Sequence, residues 1–368
     1  MPPRLVRPQR ESAPGKAAAH PRGRLQTLRT PLITLVLLAL LPVSIGLSTA
    51  FGAESLPQAQ VADVLLSRLT GAVPADFVYD TIVWNLRLPR ALLAVIVGAG
   101  LALAGAAMQT LVRNPLADPY LLGVSSGAGV GATAVITTGL FAGAGIWALS
   151  AGALAGALCS SLLVFAIAIA QGGLTPLRLV LIGTVLGSAF SSIASFLVFR
   201  SADPAAAQSV LFWLLGSLAG ADWTQLALPA TVVLLAGIAL LAGSGWLDAL
   251  ATGPDTAAAL GVPVRGLRIA LFGGLTVLVG VLVAVSGGIG FVGLVVPHVA
   301  RLIVGARHRA LLPVAALAGA VFLLWVDVAT RVLVRPTEIP LSVVSGLIGA
   351  PVFLILLGRR RYSYGGAS

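Results

Sequence analysis

The sequence predicts an all-α polytopic membrane protein with about ten transmembrane helices. Of its 368 residues, 58% are hydrophobic and only 10% are charged, whereas a soluble domain carries roughly 25% charged residues. The apolar residues form runs of about 20, the length that a helix needs to cross the hydrocarbon core of a bilayer. The 43 glycines suit close packing between helices in lipid.

Ten apolar runs are candidates for the spanning helices. They cover residues 32–50, 91–112, 120–141, 146–170, 179–199, 224–245, 266–287, 289–306, 310–334 and 340–357. The run 205–219, after the fifth span, is too short to cross a bilayer and is predicted to be a re-entrant or interfacial helix. The run 289–306 contains Pro297 and is a candidate for a broken helix, which protein must cover at membrane depth.

The predicted membrane domain, residues 32–358, lies between two tails. Residues 1–31 hold seven basic residues and one acid, and we expect a basic, disordered cytoplasmic tail. Residues 359–368 are expected to form a second cytoplasmic tail. The first span is either a cleaved signal peptide or a retained helix, and its long basic flank and long apolar run favour the retained helix.

The distribution of Lys and Arg predicts a multi-pass protein of the cytoplasmic membrane with both termini inside. In that orientation 17 of the 23 basic residues fall on the inside and 6 on the outside, as the positive-inside rule requires. The net charge of +11 is spread between apolar spans rather than over one polar face. Nucleic-acid binding is therefore excluded as a function.

A weak internal repeat relates the two halves of the chain. Four pairs match at an offset of 182 residues: Gly98 with Gly280, Gly105 with Gly287, Pro115 with Pro297, and Gly123 with Gly305. The second span is expected to run inward and the seventh outward, so the halves would be inverted. Inverted repeats recur in transporters.

The sequence offers no machinery for catalysis. The single lysine, Lys16, lacks the glycine-rich loop of a nucleotide-binding P-loop before it. The three histidines, His20, His298 and His308, lack the spacing of metal ligands. We therefore expect no metal or other cofactor on this chain. The single cysteine, Cys159, cannot form a disulfide within it.

Four long segments carry the most specific pattern. They are residues 87–132, which include RLPRALLAVIVGAG and LVRNPLADPYLLGVSSGAGVGA, then WLDALATGPDTAAALGVPV (246–264), SGGIGFVGLVVPHVARLIVGARHRALLP (286–313) and VDVATRVLVRPTEIPLSVVSGLIGAPVFLILL (326–357). Here the chain resembles the permease subunits of type II ATP-binding-cassette importers, which take up ferric siderophores, haem and vitamin B12. The resemblance covers about residues 80–358. It implies a homodimer in the lipid membrane, an ATPase subunit that uses ATP and Mg, and an extracytoplasmic substrate-binding protein.

The resemblance also implies a cytoplasmic gate and a coupling segment. Proline and asparagine favour a tight turn at Asn114-Pro115-Leu116, and the gate is expected at Asn114, Leu116, Thr175 and Pro176. Pro176 departs from the family because it cannot supply a hydroxyl. Residues 247–264 are expected to form the coupling helices, which contact the ATPase through Leu247, Asp248, Leu250, Gly253, Ala258, Leu260 and Gly261. Asp248 stands where the family more often has Asn.

Two further sites follow from the resemblance. The binding protein is expected to dock on the outer residues Arg87, Arg90 and Arg331. The alternatives are snorkelling to lipid headgroups and, for Arg331, an ion pair with Asp327 four residues earlier. The fifth span presents a small, weakly polar face that is expected to line the pathway, with close helix packing as the alternative. Its residues are Thr184, Ser188, Ser191, Ser192 and Ser195.

An importer permease is the leading functional hypothesis, and two other classes compete with it. A secondary, ion-coupled transporter would use Asp327 as a proton site and would need no ATPase. An intramembrane enzyme would need paired catalytic residues, which the sequence does not present. The sequence does not identify the cargo, for which iron–siderophore is the commonest choice in the family.

Overall fold

The computed structural model describes the backbone of residues 22–359 and the side chains of residues 29–356. This part of the chain is helical and contains no β-strand. The helices are α1 (Arg22–Ser48), α2 (Gln58–Thr70), α3 (Phe77–Asp80), α4 (Leu88–Val112), α5 (Val124–Thr138), α6 (Ala148–Ala170), α7 (Pro176–Arg200), α8 (Ala206–Leu214), α9 (Ala227–Ala242), α10 (Ser244–Thr252), α11 (Pro254–Ala259), α12 (Val264–Ser286), α13 (Val292–Val304), α14 (His308–Val332) and α15 (Leu341–Arg359). The predicted all-α polytopic fold is confirmed.

Seven stretches of helix in the described chain are long and apolar enough to cross a membrane. The shorter helices α5, α13 and α15 correspond in position to the other three predicted spans. The span expected at 120–141 is wrong in its bounds, because a 3₁₀ turn over Pro119–Leu122 precedes α5 and Gly139 ends it in a left-handed conformation. The short helix predicted within 205–219 is α8.

Two predicted boundaries are corrected near the N-terminus. Residues 22–31, expected in the disordered tail, form the first turns of α1, while residues 1–21 lie outside the described chain. The second span does not begin at Ala91, because helix is continuous from Phe77 to Val112 through a π-helical stretch at Thr81–Arg87. Asp76 caps the start of this helix by accepting hydrogen bonds from two backbone N–H groups.

Close helix contacts join the two halves crosswise. α4 packs on α13 and α14, whereas α12 packs on α5 and α6. Gly98 of α4 meets the backbone of Gly319 in α14, and a Cβ at Gly105 would overlap the carbonyl of Gly293 in α13. Only glycine allows helices to approach so closely. Gly280, the repeat partner of Gly98, likewise faces α6 in the other half.

The expected break at Pro297 is wrong in position. Pro297 lies inside α13, and the non-helical segment is residues 287–291, with Gly287 and Phe291 at φ 67° and 69°. Side chains from elsewhere satisfy its backbone: the Tyr120 hydroxyl accepts from Ile289 N (2.9 Å), and Ser342 Oγ donates to Gly288 O (2.7 Å). Irregular backbone in the membrane domain therefore has the protein partners that it requires.

Candidate translocation and coupling site

The turn after α4 has the compact form that its sequence predicts. Arg113 ends α4 in a left-handed conformation (φ 53°), and Asn114 Oδ1 accepts a hydrogen bond from Leu116 N at 2.9 Å. Asp118 then caps the following 3₁₀ turn by accepting from Tyr120 N at 2.8 Å. Burial raises the pKa of the Asp118 carboxyl to about 6, against the lowering effect of the hydrogen bond from Tyr120 N.

The second predicted gate element lies at the start of α7. Thr175 precedes the helix in an extended conformation, and Pro176 is its first residue, a position where proline is favoured. Thr175 lines a cavity of about 550 Å³ together with Arg265 and Arg268 of α12. Within the described chain no hydrogen bond joins this element to Asn114 or Leu116, so the gate role of all four residues stays a prediction.

The coupling segment divides into buried and exposed residues. It folds as two short helices, α10 and α11, separated by Gly253 at φ 139°. Leu247 and Leu250 are buried in the core of this chain and Gly253 is also buried, so these three hold the segment in place, and their part in coupling stays a prediction. The exposed tip consists of Ala258, Leu260 and Gly261, and Leu260 is 68% exposed.

Asp248 also faces inward to its own chain. Its carboxylate accepts from the backbone N–H of His308 at 2.9 Å, and the imidazole Nδ1 of His308 lies 2.6 Å from the same oxygen. The sequence analysis did not identify this partner of His308. The signal is absent from the local sequence because the two residues are 60 positions apart.

The predicted pathway wall lies on the uncovered face of α7. Thr184, Ser188, Ser191, Ser192 and Ser195 are all exposed in the single chain. Successive residues of an α-helix are rotated by about 100° around its axis, so these five side chains project within one sector roughly 100° wide. Four of the hydroxyls donate to the carbonyl four residues earlier, as Ser188 does to Thr184 O at 3.2 Å. Gly183 and Gly187, on a neighbouring face of α7, pack on Leu121 and Ser126.

The three arginines of the predicted docking site are mostly engaged within the chain. Arg90 Nε donates to Asp327 at 2.9 Å and its other nitrogens donate to Glu338 at 2.8 and 3.0 Å. Arg331 lies 3.0 Å from the second oxygen of Asp327, which confirms the predicted intrahelical pair. The side chains of Arg90 and Arg331 are 10% and 4% exposed. Arg90 and Arg331 therefore belong to a buried ion-pair cluster with Asp327 and Glu338, and their docking role stays a prediction.

Arg87 lies outside the ion-pair cluster and contacts backbone carbonyls instead of carboxylates. It is half-buried and donates to three backbone carbonyls that follow α1, those of Thr49, Ala50 and Glu54, at 2.9, 2.9 and 2.6 Å. It has no carboxylate partner within the described ion pairs. Of the three predicted docking residues it keeps the most accessible positive charge.

Comparison with known proteins places this architecture in a family. Residues 38–359 match the FecCD transport family. The chain is 38% identical over 330 residues to the molybdate import system permease protein MolB of Haemophilus influenzae, covering 89% of this chain and 95% of that protein. It is 42% identical over 278 residues to the vitamin B12 import system permease protein BtuC of Salmonella paratyphi A, covering 76% and 84%.

A solved structure agrees with this placement. It is described as an inward-facing conformation of a transporter assigned to the metal-chelate ABC type. It superposes with a TM-score of 0.78 at 35% identity and covers 90% of this chain and 100% of that one. The family match, the relatives and the shared fold agree. The chain therefore belongs to the FecCD transport family, as a membrane permease subunit of type II ATP-binding-cassette importers.

Proposed function

We propose that this permease subunit works as a homodimer that moves a metal chelate or corrinoid from a binding protein across the cytoplasmic membrane. An iron–siderophore is the leading cargo, with haem and vitamin B12 as the alternatives. Two ATPase subunits on the coupling segment supply the energy, using ATP and Mg. The orientation with both termini inside follows from the bias of Lys and Arg.

The observation that carries this proposal is the exposed hydroxyl face of α7. Four of these five hydroxyls donate to carbonyls within α7, and their oxygens still offer acceptor lone pairs to water, which suits a wetted pathway between two copies of the chain. Span 179–199 contains no charged residue. Weak, uncharged hydrogen-bonding groups let a large chelate pass without trapping it.

The coupling segment supports the ATPase as the energy source. Its tip at Ala258, Leu260 and Gly261 is exposed, while Leu247 and Leu250 anchor it in the core. An exposed apolar tip on a firmly packed base suits contact with a groove on another protein. Asp327, the proton site of the rival ion-coupled mechanism, lies between two arginines, an arrangement that supports a structural role.

The pathway role of α7 is tested by the access of water-soluble reagents. In a Cys159→Ala background, we expect Ser191→Cys and Ser188→Cys to react with a charged methanethiosulfonate reagent in the assembled transporter. Leu234→Cys is the matched control, because Leu234 is 63% exposed on the apolar helix α9 and lipid should shield it. Equal protection of all three cysteines would contradict the proposed pathway.

A further inference from the structure

A hydrogen-bonded series of three buried or half-buried side chains, those of Asp248, His308 and Thr110, links the coupling segment to α4, the helix before the predicted gate turn. Asp248 of α10 lies 2.6 Å from His308 Nδ1, and His308 Nε2 lies 2.7 Å from the Thr110 hydroxyl of α4. His308 and Thr110 are 2% and 3% exposed. The imidazole of His308 contacts both Asp248 and Thr110. It therefore connects α10 with α4, although these two residues are 138 positions apart in the sequence.

The available protons allow the His308 imidazole to form its hydrogen bonds to Asp248 and to Thr110 at the same time. Asp248 also accepts from His308 N at the start of α14, so its oxygen draws the Nδ1 proton toward it. With Nδ1 protonated, Nε2 of a neutral ring accepts from the Thr110 hydroxyl. In the charged ring Nε2 donates to Thr110, whose hydroxyl then donates to Ala106 O at 3.0 Å. The link is made in both states of the imidazole.

Asp248 and Thr110, the two ends of this hydrogen-bonded series, lie on the coupling helix and on the helix that leads to the predicted gate. Asp248 belongs to the coupling helix α10, which Leu247 and Leu250 anchor in the core. Thr110 lies one helical turn before Asn114, where α4 ends in the gate turn. α10 also packs on both α4 and α14. A displacement of α10 is thus transmitted through His308 to the end of α4.

We propose that His308, held between Asp248 and Thr110, is a positioning residue that transmits movement of the coupling helix to the cytoplasmic gate. This proposal rests on the proposed function, because it requires an ATPase that moves α10. An Asn at position 248 offers the same oxygen to both donors of His308. The link therefore requires a hydrogen-bond acceptor at this position rather than a negative charge.

The experiment uses the assembled transporter with the ATPase subunit that co-purifies with it, and needs no cargo. In a Cys159→Ala background, Leu116→Cys reports the gate through its rate of reaction with a maleimide. We compare the nucleotide-free state with the state trapped by ATP and vanadate. In the parent, trapping should change this rate at least about tenfold, which corresponds to about 1.4 kcal/mol.

The variants remove the hydrogen-bonding group at one end of the series, either at Thr110 or at Asp248. Thr110→Val should reduce the rate change to less than about twofold while ATP hydrolysis continues, and Asp248→Ala should reduce the rate change to the same extent. Their combination should add no further loss, because either substitution already interrupts the same chain. Thr110→Ser and Asp248→Asn should retain the parent response. Ser44→Ala, which removes a buried hydrogen bond to Trp325 at 3.2 Å, should also retain it.

The outcomes separate this proposal from the proposed function. A parent that shows neither ATP hydrolysis nor a trapped state would refute the proposed function itself. A parent that responds, with Thr110→Val and Asp248→Ala responding as strongly, would overturn the transmission role alone. Additive losses in the double variant would also overturn it, since independent local effects add. Thr110→Val keeps the shape of threonine, so it serves as the test if Asp248→Ala does not assemble.

Discussion

The ion-pair cluster of Arg90, Asp327, Arg331 and Glu338 permits a quantitative prediction. Asp327 is fully buried and lies against Arg90 at 2.9 Å and Arg331 at 3.0 Å. Asp327→Asn keeps the side-chain volume but removes the negative charge between two guanidinium groups. Removing one partner of a buried ion pair costs about 3–5 kcal/mol. We expect this loss in the free energy of unfolding.

Glu338 provides the matched comparison within the same cluster. Its side chain is 36% exposed, so solvent screens its interaction with Arg90, and exposed pairs contribute about 0–1 kcal/mol. Glu338→Gln should therefore cost several kcal/mol less than Asp327→Asn. Replacing Asp327 and Arg331 together by Leu and Met should restore much of the stability, because no uncompensated charge then remains on α14.

The assay is equilibrium unfolding in mixed detergent micelles, followed by tryptophan fluorescence. Transport is measured on the same preparations. Equal losses for Asp327→Asn and Glu338→Gln would refute the reasoning from burial. Wild-type stability with abolished uptake in Asp327→Asn would instead favour the proton site of an ion-coupled transporter.

Three further predictions follow from local geometry. Gly105→Ala should destabilise the protein by about 1–3 kcal/mol through overpacking, whereas Gly273→Ala, whose Cβ would meet nothing within 4 Å, should be neutral or stabilising in thermal unfolding. Burial raises the pKa of the Asp118 carboxyl to about 6, whereas the pKa of this carboxyl in the unfolded chain is about 3.9. The free energy of unfolding should therefore fall as the pH rises from about 3.9 through 6. Asp118→Asn keeps the cap and should remove this fall. A cysteine at Ala72 should react with an impermeant reagent in intact cells and one at Leu260 should not, and the reverse pattern would invalidate the orientation.

The sequence predicts the helical fold well because apolar runs are local signals. Their ends are less predictable where polar residues continue a helix. The sequence predicts a second span that begins at Ala91, yet the charges of Arg87 and Arg90 are satisfied by backbone carbonyls and carboxylates, so the helix extends back to Phe77. The same contacts explain why α1 and α14 meet this helix near Arg87 and Arg90.

Long-range partners are the part of the site that sequence reasoning missed. The pair Asp327 and Arg331 is four residues apart and follows from helical spacing. Glu338 lies 248 positions from Arg90, and Tyr120 lies 169 positions from Ile289. No local pattern marks such contacts, since they depend on how the two halves pack. The predicted pathway residues on α7 and the coupling residues Ala258, Leu260 and Gly261 are exposed, whereas Leu247, Leu250 and Gly253 are buried. The roles of all of them stay predictions.

The most direct test of the central claim is uptake into proteoliposomes that contain this chain, its ATPase subunit and its binding protein. Labelled ferric siderophore, haem, vitamin B12 and molybdate are offered separately, with and without ATP on the ATPase side. The account predicts accumulation of one of the three chelates that requires ATP hydrolysis, and no accumulation of molybdate. Uptake driven by a proton gradient without ATP, or accumulation of molybdate alone, would contradict it.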